Sequence, residues 1–166
     1  MKAEAAAAAA LLRGRQVAAL ATLHDGTPGV SMVPYAVLAD PFALIVLVSA
    51  LSAHTKDMAR EPRVALLVND AERAGTPAHT LARVSLDAIA APLAPDDPRY
   101  GPARAAYVER FPDMAMLFGL GDFTLYALAP GAVRAVLGFA QAHSLTPATL
   151  AAACRAASAP TGSSAA

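Results

Sequence analysis

The sequence has one cysteine, no net charge and no long hydrophobic run, and each of these absences excludes a class of protein or site. Cys154 alone cannot form an internal disulfide or a multi-cysteine metal site, so a reducing cytoplasm is the expected compartment and no metal site is predicted. The 13 basic and 13 acidic residues balance, which gives no reason to expect nonspecific attraction to nucleic acid. The most hydrophobic run, residues 42–51, is far shorter than the ~20 residues that a membrane-spanning helix needs. We therefore expect a cytoplasmic protein that contacts neither nucleic acid nor membrane.

The first residues faintly resemble a signal peptide, because a lysine precedes a run of alanines. Glu4 interrupts that run, however, and Arg13-Gly14-Arg15 stands where a cleavage site would be expected. A leading helix is the better interpretation. A chain of 166 residues is long enough for one substantial core, and a dimer would bury more.

The rest of the chain has the pattern of short strands with helical inserts. Turn residues such as His24-Asp-Gly-Thr-Pro28 and Ala39-Asp-Pro41 separate apolar runs that are rich in branched side chains. Strands are predicted at 17–23, 29–37, 42–48, 63–68, 81–91, 123–128 and 132–139, and helices at 55–60, 99–110 and from Pro147. This is a mainly β protein with helical inserts (α+β), and closure of its antiparallel strands into a barrel would leave no long edge exposed.

The segment Ser49-Ala-Leu-Ser-Ala-His-Thr-Lys-Asp-Met58 directly follows the most hydrophobic strand. It places hydroxyls, an imidazole and an ammonium at the end of a buried strand, where a short helix would add its first backbone N–H groups. A phosphate monoester needs a cation and several converging donors. The alternative is that Thr55 only caps a surface helix and that Lys56 is solvated.

Five local patterns occur in an order that resembles the FMN-binding split β-barrel family, the pyridoxamine 5'-phosphate oxidase-like proteins, and more closely its haem-utilisation branch. The patterns are Ala19-Leu-Ala-Thr-Leu23, Ser31-Met-Val-Pro-Tyr35, Ser49 with His54-Thr-Lys56, Ala82-Arg-Val-Ser-Leu86 and Gly119-Leu-Gly-Asp-Phe123. The resemblance implies an FMN-binding split barrel over residues 1–145, with a Greek-key-like antiparallel barrel of six to seven strands. Residues 146–166 would then form a C-terminal helix and a disordered tail.

The resemblance also implies a homodimer with a flavin at the subunit interface. It assigns the isoalloxazine ring to the backbone of one strand, the ribityl chain to the following loop, and the phosphate to the short helix and an arginine. These cofactor-binding residues are Ser31, Met32, Val33 and Pro34 for the ring, Ser49 and Ala50 for the ribityl chain, and His54, Thr55, Lys56 and Arg83 for the phosphate. Without the family resemblance, Ser31 and Arg83 could as well be polar residues on the exposed face of a strand as cofactor-binding residues. Met32 could as well be an ordinary core residue. Pro34 is more informative, because it indicates that normal strand pairing stops there.

Two departures from the family pattern limit the chemistry that can be transferred. Vitamin B6 oxidases of the family carry a C-terminal pattern with tryptophan, and this chain has no tryptophan, so pyridoxamine phosphate oxidation is not expected. The closing segment Leu137-Gly-Phe-Ala-Gln-Ala142 lacks two glycines and the basic residue that are typical of the haem-related branch. His143 remains where related haem-degrading proteins can carry an iron-binding histidine, and imidazole is a common haem ligand.

The function that this resemblance implies is an FMN-dependent oxidoreductase acting on a small-molecule substrate of unknown identity. Flavin would supply the redox chemistry, so no catalytic side chain is assigned. The alternatives are a haem-binding or haem-degrading split-barrel protein, and a non-enzymatic dimer that stores or senses flavin or haem.

Overall fold

The computed structural model describes residues 2–139 and 141–158. Within those residues, four α-helices and eight strands follow the order α1 (Lys2–Gly14), β1 (Val17–His24), β2 (Thr27–Pro34), β3 (Ala36–Ala39), β4 (Phe42–Ser49), α2 (Ala53–Arg60), β5 (Arg63–Asn69), β6 (Arg83–Pro92), α3 (Tyr100–Arg110), β7 (Phe123–Val136), β8 (Ala142–Leu145) and α4 (Pro147–Ser158). Two short 3₁₀ helices cover Ala78–Thr80 and Pro112–Gly119. The helix predicted from Pro147 is present as α4, whereas residues 159–166, predicted to be a disordered tail, lie outside the described residues.

The strands form one antiparallel sheet in the order β2-β1-β5-β6-β7-β4-β3, and β8 pairs with β7. The two end strands of this order, β2 and β3, are separated along the chain by Tyr35 alone. The sheet must therefore curl until its two end strands meet. In the described residues these two strands are joined by the covalent chain and not by a ladder of hydrogen bonds. This confirms the predicted antiparallel split β-barrel, although with eight strands in place of six to seven.

One additional strand arises because the predicted strand at 29–37 changes partners at Tyr35. Pro34 is the last residue of β2 and pairs with Val17, whereas Ala36 opens β3 and pairs with Ile45. Proline has no N–H to donate to a ladder, so a strand can end or leave its partner there. The prediction that normal pairing stops at Pro34 is confirmed.

The division of residues 123–139 into two predicted strands, at 123–128 and 132–139 with a turn at Pro130-Gly131 between them, is wrong. Phe123–Val136 is one strand, and the pairing of β6 with β7 shifts between Leu86 and Ala88. Two residues of β7 therefore oppose Asp87 alone, which is a β-bulge. Proline and glycine are tolerated in a strand at such a position, and this is why their turn propensity did not end it.

The curled sheet buries apolar residues on both of its faces, and β4 shows why its sequence is continuously hydrophobic. Leu44, Val46 and Val48 belong to the core beneath α1 and α4, whereas Ile45 and Leu47 belong to the core beneath α3. A strand that is covered on both sides has no polar alternation. No helix in the described ranges is long and apolar enough to cross a membrane.

Candidate functional site

The turn after β4 is fixed by Asp122, which lies just before β7. The Ser49 hydroxyl donates to Asp122 Oδ2 at 2.9 Å, and the backbone N–H of Ala50 donates to the Asp122 carbonyl at 2.7 Å. The Ser49 hydroxyl also accepts the Leu51 N–H at 3.2 Å. Because a hydroxyl has one hydrogen, Ser49 has no donor left for a ligand, and its side chain holds the turn in place.

The first turn of α2 presents backbone donors that have no recorded acceptor. The Ser52 N-cap makes no side-chain capping bond, and among the described residues no acceptor is recorded for the N–H groups of Ala53, His54 and Thr55. The Thr55 side chain is buried, and its hydroxyl donates to the Ser49 carbonyl at 2.7 Å. Thr55 therefore ties α2 to the preceding turn, and the backbone supplies the donors at this end of the helix.

His54 joins α2 to β2. Its Nδ1 lies 3.2 Å from the Ser31 hydroxyl, so the first turn of the helix meets the middle of that strand. Burial lowers the pKa of His54, and the nearby Asp57 carboxylate only partly offsets this. The imidazole is therefore neutral near pH 7 and acts as a hydrogen-bonding group there.

Lys56 supplies the positive charge of this cluster. Its side chain is exposed, and none of the ion pairs between described residues involves it. An ammonium on the same helical turn as three open N–H groups suits a bound anion, because charge and donors then act on the same oxygens.

The strand predicted to hold a flavin ring has one free edge. β2 pairs with β1, and it stands at the end of the sheet order, so its other edge carries peptide groups without a ladder partner. The side chains of the predicted ring-binding residues alternate between the two faces. Ser31 and Val33 point to the face that α2 contacts, whereas Met32 is 69% exposed on the opposite face.

Arg83 is not brought to this cluster within one chain. It lies on β6, three strands from β2, level with Asn69 of β5. With about 4.8 Å between strands, this places it roughly 14 Å from β2 along the sheet. The alternating burial of β6 also puts Arg83 on the same outer face as Met32, away from Lys56. Its guanidinium donates to the Leu81 carbonyl at 3.2 Å.

His143 lies at a different place. It is half-buried on β8 and lines a groove of about 470 Å³ with Glu4 and two alanines of α1 and with Leu137 and Gln141, which precede β8. Its strand partner Ala135 is fully buried, so the imidazole faces α1 and not the outer face of the sheet. No predicted flavin-binding residue lines this groove.

Sequence reasoning missed a buried network beneath the cluster. Asp57 is 4% exposed and accepts hydrogen bonds from the Thr22 hydroxyl at 3.0 Å and from His24 Nδ1 at 2.8 Å. The hydrogen bond from His24, followed by that from Thr22, lowers the pKa of Asp57 against the opposing effect of burial. This network fastens α2 onto β1. The sequence shows this network only as an aspartate inside an amphipathic helix. Such an aspartate by itself indicates a solvent-exposed position, so the network could not be predicted from it.

The chain is similar to known proteins both in sequence and in fold. The family described as pyridoxamine 5'-phosphate oxidase matches residues 5–137. The chain is 33% identical over 121 residues to the chloroplastic non-canonical haem oxygenase HOZ of Arabidopsis thaliana. The matched region covers 72% of this chain and 35% of that protein. It is 28% identical over 134 residues to the haem oxygenase HutZ of Vibrio cholerae, covering 80% of this chain and 75% of HutZ.

The fold is also similar to a solved haem-binding protein from Mycobacterium smegmatis. The two structures superpose with a TM-score of 0.79 at 29% identity, over 90% of this chain and 60% of the other. This chain thus spans about a third of the Arabidopsis protein and three fifths of the mycobacterial one. The similarity therefore covers one part of each of those two proteins.

Proposed function

Because the chain belongs to the pyridoxamine 5'-phosphate oxidase family, we propose that it binds FMN along the free edge of β2 and acts as an oxidoreductase on a small molecule. The observation that carries this proposal is the 3.2 Å contact between His54 and Ser31. That contact brings the donor-rich first turn of α2 against the strand whose outer peptide groups are unpaired. A phosphate and a flat polar ring can therefore be held side by side.

The phosphate end of the site fits the chemistry of a phosphate monoester. The N–H groups of Ala53, His54 and Thr55 are open, and Lys56 adds a cation. The hydroxyls of Ser49 and Thr55 have already donated their hydrogens, so these residues set the geometry of the turn and the backbone makes the contacts. Charge-assisted bonds of this kind are among the stronger ones in proteins.

The ring end fits through the backbone of Ser31, Met32 and Val33. Unpaired N–H and C=O groups on the free edge of β2 can meet the polar edge of an isoalloxazine without any special side chain. Pro34 ends this edge, because it has no N–H to offer. Bound flavin would supply the redox chemistry, while the chain binds the ring, orients it and limits what approaches.

We further propose that two copies pair through the outer face of β2, β1, β5 and β6. This outer sheet face carries exposed apolar side chains in neighbouring register positions. Met32 lies opposite Ala19, which lies opposite Leu67, and Val30 lies opposite Ala21. Val30 is 74% exposed and Met32 69%, an unusual exposure for two side chains on one sheet face.

A dimer of this kind also gives Arg83 a role. Arg83 points to the outer face, away from Lys56 of its own chain, so the two cations can share a phosphate only if they come from different copies. The guanidinium of one copy would then complete the anion site formed by Lys56 of the other. Each site would be incomplete in a single chain.

Haem is the second candidate ligand, and the three relatives favour it. Two of them are named haem oxygenases and the third a haem-binding protein. In this chain, His143 is a half-buried imidazole beside a groove, which suits an iron ligand. The same groove is also lined by Ala3, Ala7 and Leu137, which give it an apolar side for a porphyrin.

The FMN proposal is tested by comparing FMN with riboflavin, which lacks the phosphate. We expect flavin fluorescence titration to show that the protein binds FMN more tightly than riboflavin. Lys56→Gln should weaken the affinity for FMN by about tenfold or more and change the affinity for riboflavin by no more than about twofold. Arg60→Gln is the matched control, because it removes one positive charge from the other end of α2. Equal weakening of both flavins, or no flavin binding by the wild-type protein, would contradict the proposed phosphate site.

The haem alternative is tested on the same protein preparation by titration with haemin. If haem is the ligand and His143 binds its iron, a Soret band appears with a definite stoichiometry, and His143→Ala shifts or abolishes it. His79→Ala is the control, since His79 lies in the 3₁₀ helix Ala78–Thr80. A spectrum unchanged in the His143 variant eliminates that residue as the iron ligand.

A further inference from the structure

An open cleft of about 320 Å³ lies where the end of α1 passes β3 and α3. It contains none of the residues assigned to flavin or haem. Two arginines and one glutamate line it above three small apolar residues: Arg13, Arg110, Glu109, Ala36, Val37 and Ala106. Its volume is at the lower end of the range for small-molecule sites.

One hydrogen bond and two aromatic rings position Arg110 in this cleft. Its Nη2 group donates to the Arg15 carbonyl, and the guanidinium carbon lies 5.9 Å from the ring centroid of Tyr35 and 5.8 Å from that of Phe111. Its Nε atom is buried and has no hydrogen-bond partner among the described residues. The guanidinium is therefore fixed in place while part of its donor capacity remains unused, which is costly for a buried polar group.

The cleft keeps a net positive charge, because its two arginines outnumber the single carboxylate, that of Glu109, in its lining. None of the ion pairs within 4.0 Å in the described part of the chain includes Arg13 or Arg110. Both side chains are half-buried, so solvent screens them less than it screens fully exposed charges. Two like charges that share one cleft favour a bound anion, and the planar guanidinium fork matches a carboxylate.

We propose that this cleft binds a small aliphatic monocarboxylate, with the carboxylate between Arg13 and Arg110 and the short apolar part against Ala36, Val37 and Ala106. The carboxylate of Glu109 at the same cleft repels a second negative charge and so disfavours dianions and polyanions. The site lies outside the proposed cofactor site, and the two proposals stand or fall separately.

The test uses butyrate and its neutral isostere butyramide, at constant ionic strength, with the full-length protein free of flavin. We expect butyrate to give saturable shifts of the arginine Nε–H signals in NMR and butyramide to give none. Arg13→Gln should weaken the affinity for butyrate by about tenfold or more. Arg104→Gln, which removes the same charge from an exposed position of α3 that does not line the cleft, should leave it within about twofold.

A second variant covers the case in which Arg13→Gln disturbs folding. Ala106→Leu keeps both guanidinium groups and fills the apolar side of the cleft with a good helix former, so it should also abolish saturable butyrate binding. The proposal is overturned if butyrate gives no saturable shift in the wild-type protein, if butyramide binds equally well, or if the variants at Arg13 and Ala106 bind like Arg104→Gln.

Discussion

Asp57 shows at the scale of one residue how a side chain that resembles a surface charge can organise a site. Both of its carboxylate oxygens are used, one by Thr22 and one by His24, and both partners lie on β1. His54 is one helical turn before Asp57, so the position of the imidazole against Ser31 depends on this anchor. Asp57, Thr22 and His24 therefore hold the candidate site in place, although none of them would contact a ligand.

The lowered pKa of Asp57 sets the sign of a pH effect on stability. Its folded pKa lies below the ordinary value of 3.8, so its stabilising contribution is present above that value and is lost as pH falls through the folded pKa. We expect Asp57→Asn to lower the free energy of unfolding at pH 7, with a deficit that shrinks towards pH 2. Urea unfolding at several pH values measures this difference.

The control for this prediction is Asp96→Asn, because Asp96 is exposed in the loop before α3 and has no side-chain hydrogen bond to another described residue. It should change the unfolding free energy little at any of these pH values. A deficit for Asp57→Asn that is the same at pH 7 and pH 2 would show that the carboxylate charge does not stabilise the fold.

Ser49 and Thr55 illustrate a limit of prediction from residue types. Their hydroxyls were predicted to lie beside a phosphorylated cofactor, because serine and threonine are good donors. In the structure, each hydroxyl donates its hydrogen to the protein, to Asp122 and to the Ser49 carbonyl. The assignment of these residues to the cofactor remains a prediction, but any hydrogen bond that they donate to it would have to come from backbone N–H groups and not from their hydroxyls.

At the scale of elements, Tyr35 connects the barrel seam to the leading helix. It is the one residue between β2 and β3, its backbone N–H donates to the Gln16 carbonyl, and its fully buried hydroxyl donates to the Leu12 carbonyl at 2.6 Å. The last turn of α1 is thereby fixed to the point where the sheet changes partners.

We expect Tyr35→Phe to destabilise the protein by about 1–2 kcal/mol, because the Leu12 carbonyl would remain buried without its donor. For a chain of this size, the melting temperature should fall by about 2–4 °C for each kcal/mol. Tyr100→Phe is the matched control, since the hydroxyl of Tyr100 makes no hydrogen bond recorded between described residues. Calorimetric melting that does not separate the two variants would contradict this role for Tyr35.

At the scale of the whole molecule, the two cations proposed to bind the phosphate lie on different sides of the sheet. Lys56 is on the side of α2, and Arg83 is on the outer face proposed to pair with a second copy. If each site takes Lys56 from one copy and Arg83 from the other, two defective variants can complement each other. In a closed two-fold dimer, the mixed dimer has one intact site and one doubly defective site.

We therefore expect Lys56→Gln and Arg83→Gln each to bind FMN poorly, and their mixture, after joint refolding, to regain about a quarter of the sites at wild-type affinity. Half of the randomly formed dimers are mixed, and each of these has one intact site. A mixture of Lys56→Gln with the double variant should regain none. No recovery in the first mixture would show that the two residues do not form a site across the subunits.

The sequence by itself determined the local features of this protein and their order along the chain. Alternation of apolar residues, turn residues and the position of Pro34 depend on neighbours in sequence, so most strands and the end of β2 could be predicted from local patterns. The split barrel was implied by the resemblance to the family, and the family match and the structure bear out the fold. The tertiary structure alone decided which groups face each other across the sheet. It placed Arg83 on the outer face, Asp122 against Ser49, and Arg13 and Arg110 in the lining of one cleft. These contacts join residues that are far apart in sequence, and they depend on the curl of the sheet, which no local pattern specifies.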